Sequence, residues 1–120
     1  MTNLKGKVVV ITGASRGIGA ATAKLIATDK PTLILCAQTS SAGDETKAVV
    51  ESLGAKAETY GFDISDARST KTFVDTILGL HGGIDVLINN AGSGKMGSVA
   101  AMPPDVFQEG HKINVMGPYN

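Results

Sequence analysis

Blocks of continuous apolar residues alternate along this chain with longer segments whose apolar positions recur at helical spacing. The run Val8-Val9-Val10-Ile11 is too uniformly apolar for a sheet with one face in water. It predicts a strand over Lys7 to Thr12, buried on both faces. Ile18, Thr22, Leu25 and Ile26 then fall on one helical stripe, which predicts a helix over Ile18 to Asp29 with that stripe inward. Asp29-Lys30-Pro31 ends it, since proline cannot continue a helix and restricts the residue before it. Thr32 to Ala37 is a second apolar strand, followed by a polar loop from Gln38 to Gly43. Asp44 to Leu53 is a helix with Ala48, Val49 and Leu53 inward, and Gly54 stands where a helix C-terminal glycine belongs. Ala55 to Phe62 is the third strand. Ser65 or Asp66 caps the next helix, whose apolar side is Phe73, Val74, Ile77, Leu78 and Leu80 and which closes at His81-Gly82-Gly83. Ile84 to Asn89 is the fourth strand, and a glycine-rich loop runs on through Gly97. Pro103-Pro104 opens a last helix with Val106, Phe107, Ile113 and Val115 as inward candidates.

Strand–helix alternation with right-handed crossovers gives an α/β architecture, a parallel sheet between two helical layers. The expected strand order is 3-2-1-4, the first half of a Rossmann-type doubly wound fold without its later strands. Residues 1–120 form one domain on this reading. A ligand of such a sheet lies beyond the carboxyl ends of the strands, where the order reverses. The loops after Thr12, Ala37, Phe62 and Asn89 therefore border one crevice.

The first of those loops carries Gly13, Gly17 and Gly19 between a buried strand and a helix start. That geometry aims free backbone N–H groups and the positive end of a helix dipole at a phosphate. Gly13 allows the sharp turn, Gly17 admits a pyrophosphate close to the backbone, and Gly19 lets the helix sit tight on the strand. Ser15 and Arg16 inside the turn are either ordinary turn residues or a hydroxyl donor and a bidentate cation for phosphate.

Composition removes several alternatives. Eleven basic and eleven acidic residues cancel, which gives no electrostatic case for nucleic acid or an anionic membrane. The single cysteine, Cys36, excludes a disulfide framework and reads as buried strand filler. The apolar run after Lys5 and Lys7 is only four residues long, too short for a signal peptide or a membrane span, so a cytoplasmic protein is expected. Gly94-Lys95 fails as a phosphate loop, because Asn89 stands at its required first glycine and Met96 replaces the Ser or Thr. His81 and His111 have no cysteine or carboxylate at metal spacing, so no metal site is expected.

The turn Thr12-Gly13-x-x-x-Gly17-x-Gly19, together with Asn89-Asn90-Ala91-Gly92, resembles the short-chain dehydrogenase/reductase family. The resemblance runs from Lys7 to Tyr119. It implies a nicotinamide dinucleotide on the glycine turn, with Ile18 part of the fingerprint. By resemblance, Asp63 accepts from the adenine amine and Ile64 supplies its backbone, although Asp63 also reads as a helix-start acid beside Ser65 and Asp66. Asn90, Ala91 and Gly92 line the cofactor cleft by resemblance, where a plain strand stop would also place such residues. Asn114 aligns with the asparagine of the family's Asn-Ser-Tyr-Lys catalytic group, which holds a water in the proton relay. The Tyr-x-x-x-Lys segment of that group is not found: Tyr60 is followed four residues on by Ile64, and Tyr119 by Asn120 alone. A carboxylate just after the second strand accepts from the adenosine ribose and repels a 2′-phosphate. Here Gln38 to Ser41 offer hydroxyls and an amide, and no acid comes before Asp44. NADP(H) is therefore expected over NAD(H), although NADP-preferring members often carry arginine where this chain has Gln38.

The resulting expectation is the cofactor-binding half of an oxidoreductase that exchanges hydride between NADP(H) and an alcohol or carbonyl carbon. The catalytic half would then be truncated, lost, disordered or excised, and the edge of the fourth strand would pair with a second copy of the chain or aggregate. The competing reading is a non-catalytic dinucleotide-binding module that senses cofactor or binds a partner protein. A flavodoxin-like FMN binder fits less well, because the glycine turn suits a pyrophosphate.

Overall fold

The computed structural model describes residues 3–94, 97, 98 and 100–120. Lys95 and Met96, which bear on the rejected phosphate loop, lie outside the described residues. Four parallel strands, β1 (Val8–Thr12), β2 (Thr32–Ala37), β3 (Lys56–Gly61) and β4 (Val86–Ile88), form one sheet in the order β3-β2-β1-β4. The helices are α1 (Gly17–Ala27), α2 (Asp44–Ser52), α3 (Ala67–His81) and α4 (Pro104–His111). A π-helical turn (Lys112–Met116) joins α4 to a short α5 (Gly117–Tyr119). Both the α/β class and the strand order expected from the sequence are present.

The central strands are apolar throughout because both faces are covered. Val9 and Ile11 of β1 and Leu33 and Leu35 of β2 join Ala23 and Ala27 of α1 and Val50 of α2 in one core. The alternate residues Val8, Val10, Ile34 and Cys36 pack with Phe73 and Ile77 of α3 on the other side. Period-two alternation thus distributes each strand between two cores. Strand β4 is shorter than expected at both ends, and before its start Asp85 pairs with Val8 twice: its N–H donates to the Val8 carbonyl at 2.9 Å and its carboxylate accepts from the Val8 N–H at 2.8 Å.

Helix faces depart from the sequence reading. In α1, Ile18 is 77% and Leu25 78% exposed, and the buried positions are Gly19, Ala20, Ala23 and Ala27. The helix meets the sheet through glycine and alanine, and of the expected stripe only Ile26 packs against the core. In α2 the inward residues are Thr46 and Val50, not Ala48, Val49 and Leu53. Thr70, Phe73 and Ile77 form the buried line of α3, with Val74 half-buried and Leu78 and Leu80 exposed. In the last helical run Val106 and Ile113 are half-buried, while Phe107 and Val115 face outward.

Candidate functional site

Strand β1 ends in a turn that opens directly into α1. Gly13 and Gly17 both have positive φ, +68° and +60°, a conformation that costs glycine little. A Cβ on Gly19 would collide with the Gly13 carbonyl oxygen, so the third glycine is required by the close approach of helix to turn. A Cβ on Gly17 would meet nothing within 4 Å: the backbone there faces open space. The first helical bond runs from the Ala20 N–H to the Arg16 carbonyl, which leaves the amides of Gly17, Ile18 and Gly19 without an intrahelical acceptor. Arg16 stands at the N-cap in extended conformation, and no side chain caps the helix. Helix α3 differs, for there Asp66 accepts from the amides of Arg68 and Ser69. An uncapped, electropositive helix start beside open space has the chemistry of an anion site.

The loop after β4 is fastened to this turn. Thr12 Oγ1 accepts from the backbone amides of Asn90 and Ala91, both at 3.0 Å, and donates to the Ile88 carbonyl at 3.5 Å. Asn90 Nδ2 donates to the carbonyl oxygens of Thr12 and Gly13, both at 3.1 Å. The two strand ends beside the reversal of strand order are thus locked together by one hydroxyl and one amide.

Gly13, Ser15, Arg16, Gly17, Gln38, Asp63, Ile64, Asn90, Ala91 and Gly92 all line one crevice of about 750 Å³ at the carboxyl ends of the strands. That volume lies within the range of about 300–1,000 Å³ common for small-molecule and cofactor sites. Gly19 lies beneath the turn, and neither it nor Ile18 lines the crevice. Asp63 Oδ1 accepts from the Ser65 amide at 2.9 Å and the Ser65 hydroxyl at 2.6 Å. Asp66, not Ser65, is the cap of α3, and hydrogen bonds from the Ser69 hydroxyl and the Arg68 and Ser69 amides lower its carboxyl pKa from 3.8. The Ile64 carbonyl accepts from Asn120 Nδ2 at 3.1 Å, which braces the Asp63–Ile64 segment from the C-terminal helix.

Asn114 sits in the π-helical turn, where Pro118 has no N–H to offer the Asn114 carbonyl. Its side chain clamps Ser93, accepting from the Ser93 amide at 2.8 Å and donating to the Ser93 carbonyl at 2.7 Å. It lines a smaller groove of about 280 Å³ rather than the main crevice, and Ser93 borders both. Cys36 also lines the crevice, but burial pushes its thiol up to about 12, which makes it a poor nucleophile. Among the described residues no cluster of three or more potential ligands could hold a metal ion.

Several lining or supporting residues were not picked out by the sequence. Ala42, Phe62 and Ser93 border the crevice. Phe62 is fixed by stacking on Phe73, with ring centroids 4.6 Å apart. Thr46 is buried in α2 with its hydroxyl 3.5 Å from the Ser15 carbonyl. A threonine in a polar helical stretch gives no sign of this. Thr12 carried a signal, as the residue that opens the glycine motif.

The short-chain dehydrogenase profile matches residues 7–120. The chain belongs to the short-chain dehydrogenase family. It is 33% identical to an uncharacterized oxidoreductase of Thermotoga maritima, over 97% of this chain and 45% of that protein. It is 36% identical to an uncharacterized oxidoreductase of Bacillus subtilis, over 99% of this chain and 44% of the relative. The chain therefore spans about half the length of the curated relatives it matches. Among solved structures, a metagenomic short-chain oxidoreductase in complex with NADP superposes with a TM-score of 0.92 at 34% identity, covering 98% of this chain and 53% of the other. NAD+-bound xylitol dehydrogenase superposes with a TM-score of 0.92 at 33% identity, covering 98% and 46%. No helix among the described residues is long and apolar enough to cross a membrane.

Proposed function

We propose that residues 1–120 act as the cofactor-binding unit of a cytoplasmic, NADP(H)-dependent oxidoreductase. Its substrate would be an alcohol or carbonyl compound, and the bound dinucleotide would supply or accept the hydride. The uncapped start of α1 receives the pyrophosphate on the amides after Arg16. Asp63 and Ile64 take the adenine end, and Asn90, Ala91 and Gly92 line the inner wall. Asn114, held against Ser93, stands at the catalytic end.

The cofactor choice rests on one observation. Among the described residues that line the crevice, Asp63 is the sole carboxylate and Arg16 the sole cation, and the loop after β2 presents Gln38, Thr39 and Ala42. Nothing there repels a 2′-phosphate, and Arg16 suits one. Family membership leaves the choice open, since one structural neighbour holds NADP and another NAD+. Measuring both cofactors against Arg16→Ala tests the reading. NADPH binding should weaken by about 1.5–3 kcal/mol, the scale of a hydrogen bond to a charged group, with NADH much less affected. Equal losses would put Arg16 on the shared pyrophosphate, and no loss would remove it from the site.

A further inference from the structure

The loop that would face the 2′ position of an adenosine ribose rests directly on β3, and two glycines make that seat. Gly61 ends β3 opposite Ala37 of β2. A Cβ there would lie 2.6 Å from both Thr39 Cα and the Thr39 carbonyl carbon, and closer still to the Ser40 amide nitrogen. Those are backbone atoms, which cannot turn aside as the end of a side chain can. Gly43, the last residue of the 3₁₀ turn Ser40–Gly43, approaches β3 from the loop side at a different residue, Thr59. A Cβ on Gly43 would lie 2.9 Å from Thr59 Cγ2.

Neither position needs glycine for its backbone conformation. Gly61 is not among the residues of positive φ, and Gly43 has φ −87° and ψ −3°. The demand at both is for close approach alone. Between them the chain turns through Thr39 to Ala42, and Gln38, Thr39 and Ala42 border the crevice. Lifting the turn off β3 would move these three residues. Gly13, Gly17 and the Asn90–Gly92 segment belong to other elements and are not part of the seat, while Asp63 follows Gly61 by two residues.

We propose that Gly61 and Gly43 are positioning residues for cofactor discrimination: by seating the Thr39–Ala42 turn flat on β3, they set where the loop meets the 2′ substituent of the adenosine ribose. This rests on the reading of the crevice as a nicotinamide dinucleotide site. NADPH and NADH share their contacts with the glycine turn and differ at the 2′ position. Displacement of the seat therefore acts on the ratio of the two affinities, whereas general damage to the fold lowers both together.

The test measures dissociation constants of the 120-residue chain for NADPH and NADH in wild type, Gly61→Ala, Gly43→Ala and the double variant Gly43→Ala/Thr59→Ser. Far-UV circular dichroism of each variant accompanies the titrations. The single variants should weaken NADPH by about tenfold, the scale of one hydrogen bond to a charged group, and shift NADH by no more than about twofold. Thr59→Ser removes the methyl that a Gly43 side chain would meet, so the double variant should recover the wild-type ratio. If Gly61→Ala does not fold, the Gly43→Ala variant and its rescue decide the matter. An unchanged ratio in the folded single variants, or a double variant no better than Gly43→Ala, overturns the proposal. A wild-type ratio that favours NADH defeats the NADP(H) reading by itself, because the seat is judged on the change in the ratio from wherever it starts.

Discussion

Thr12 Oγ1 has two lone pairs and one proton, and the fold uses all three: two backbone amides donate to it and the Ile88 carbonyl accepts from it. The crevice wall is therefore rigid where β1 and β4 end, without any charged group. At the two helix starts the residue scale shows opposite solutions. Asp66 satisfies the first amides of α3, whereas α1 has no side-chain cap and its first amides are left without a side-chain acceptor. The Asp66 cap has a consequence for acid stability. Its folded carboxyl pKa is lowered from the ordinary 3.8 by the Ser69 hydroxyl and the two amides. Its stabilisation is therefore complete above that ordinary value and is lost as pH falls through the lower folded value. Asparagine caps a helix about as well and does not titrate. Thermal melts of Asp66→Asn should match wild type near neutrality and show a smaller drop in midpoint below about pH 4, where the carboxylate begins to protonate. A wild-type-sized drop in the variant would remove Asp66 from the acid response.

The approach of α1 to the sheet decides which of its residues are inside. Gly19, Ala20, Ala23 and Ala27 line the contact, and the larger Ile18 and Leu25 are exposed. Ala23 is fully buried, so Ala23→Leu should cost about 1–3 kcal/mol by overpacking. Leu25→Ala in the same 120-residue chain should stay within about 0.5 kcal/mol, as exposed substitutions do. Urea unfolding of the two variants checks this, and the reverse ranking would mean that the helix packs on its large residues. The strands were legible because continuous branched runs such as Val8 to Ile11 have few alternatives to a doubly covered strand. Helix faces were less legible, since hydropathy favours large side chains and a close contact selects small ones. The late start of β4 was hidden for a different reason: the Asp85 carboxylate, not a ladder carbonyl, accepts from the Val8 N–H, a pairing that spacing does not reveal. At the site, the glycine turn and Asn90 to Gly92 could be read because their residue types are unusual at strand ends. Thr46 and the glycine seat of the Thr39–Ala42 turn could not, since each depends on contact between segments distant in the sequence.

Over the whole molecule, the strand order brings four loops to one edge of the sheet, and the crevice draws lining residues from each of them. The β1 and β4 ends are bolted together through Thr12 and Asn90, while the β2 loop rests on β3. A fixed wall thus faces a seated loop, with the uncapped start of α1 between them. The central claim is that this arrangement holds a nicotinamide dinucleotide by its pyrophosphate at the glycine turn. Gly17 has φ +60° and faces open space, so a branched side chain there is both strained and placed where the phosphate must come. The most direct test titrates the 120-residue chain and its Gly17→Val variant with NADPH, following nicotinamide fluorescence, with circular dichroism to compare their folds. Saturable binding to wild type and none to a folded Gly17→Val is the predicted result. Equal affinity for NADPH in the two proteins, or no saturable binding to wild type, would contradict the account.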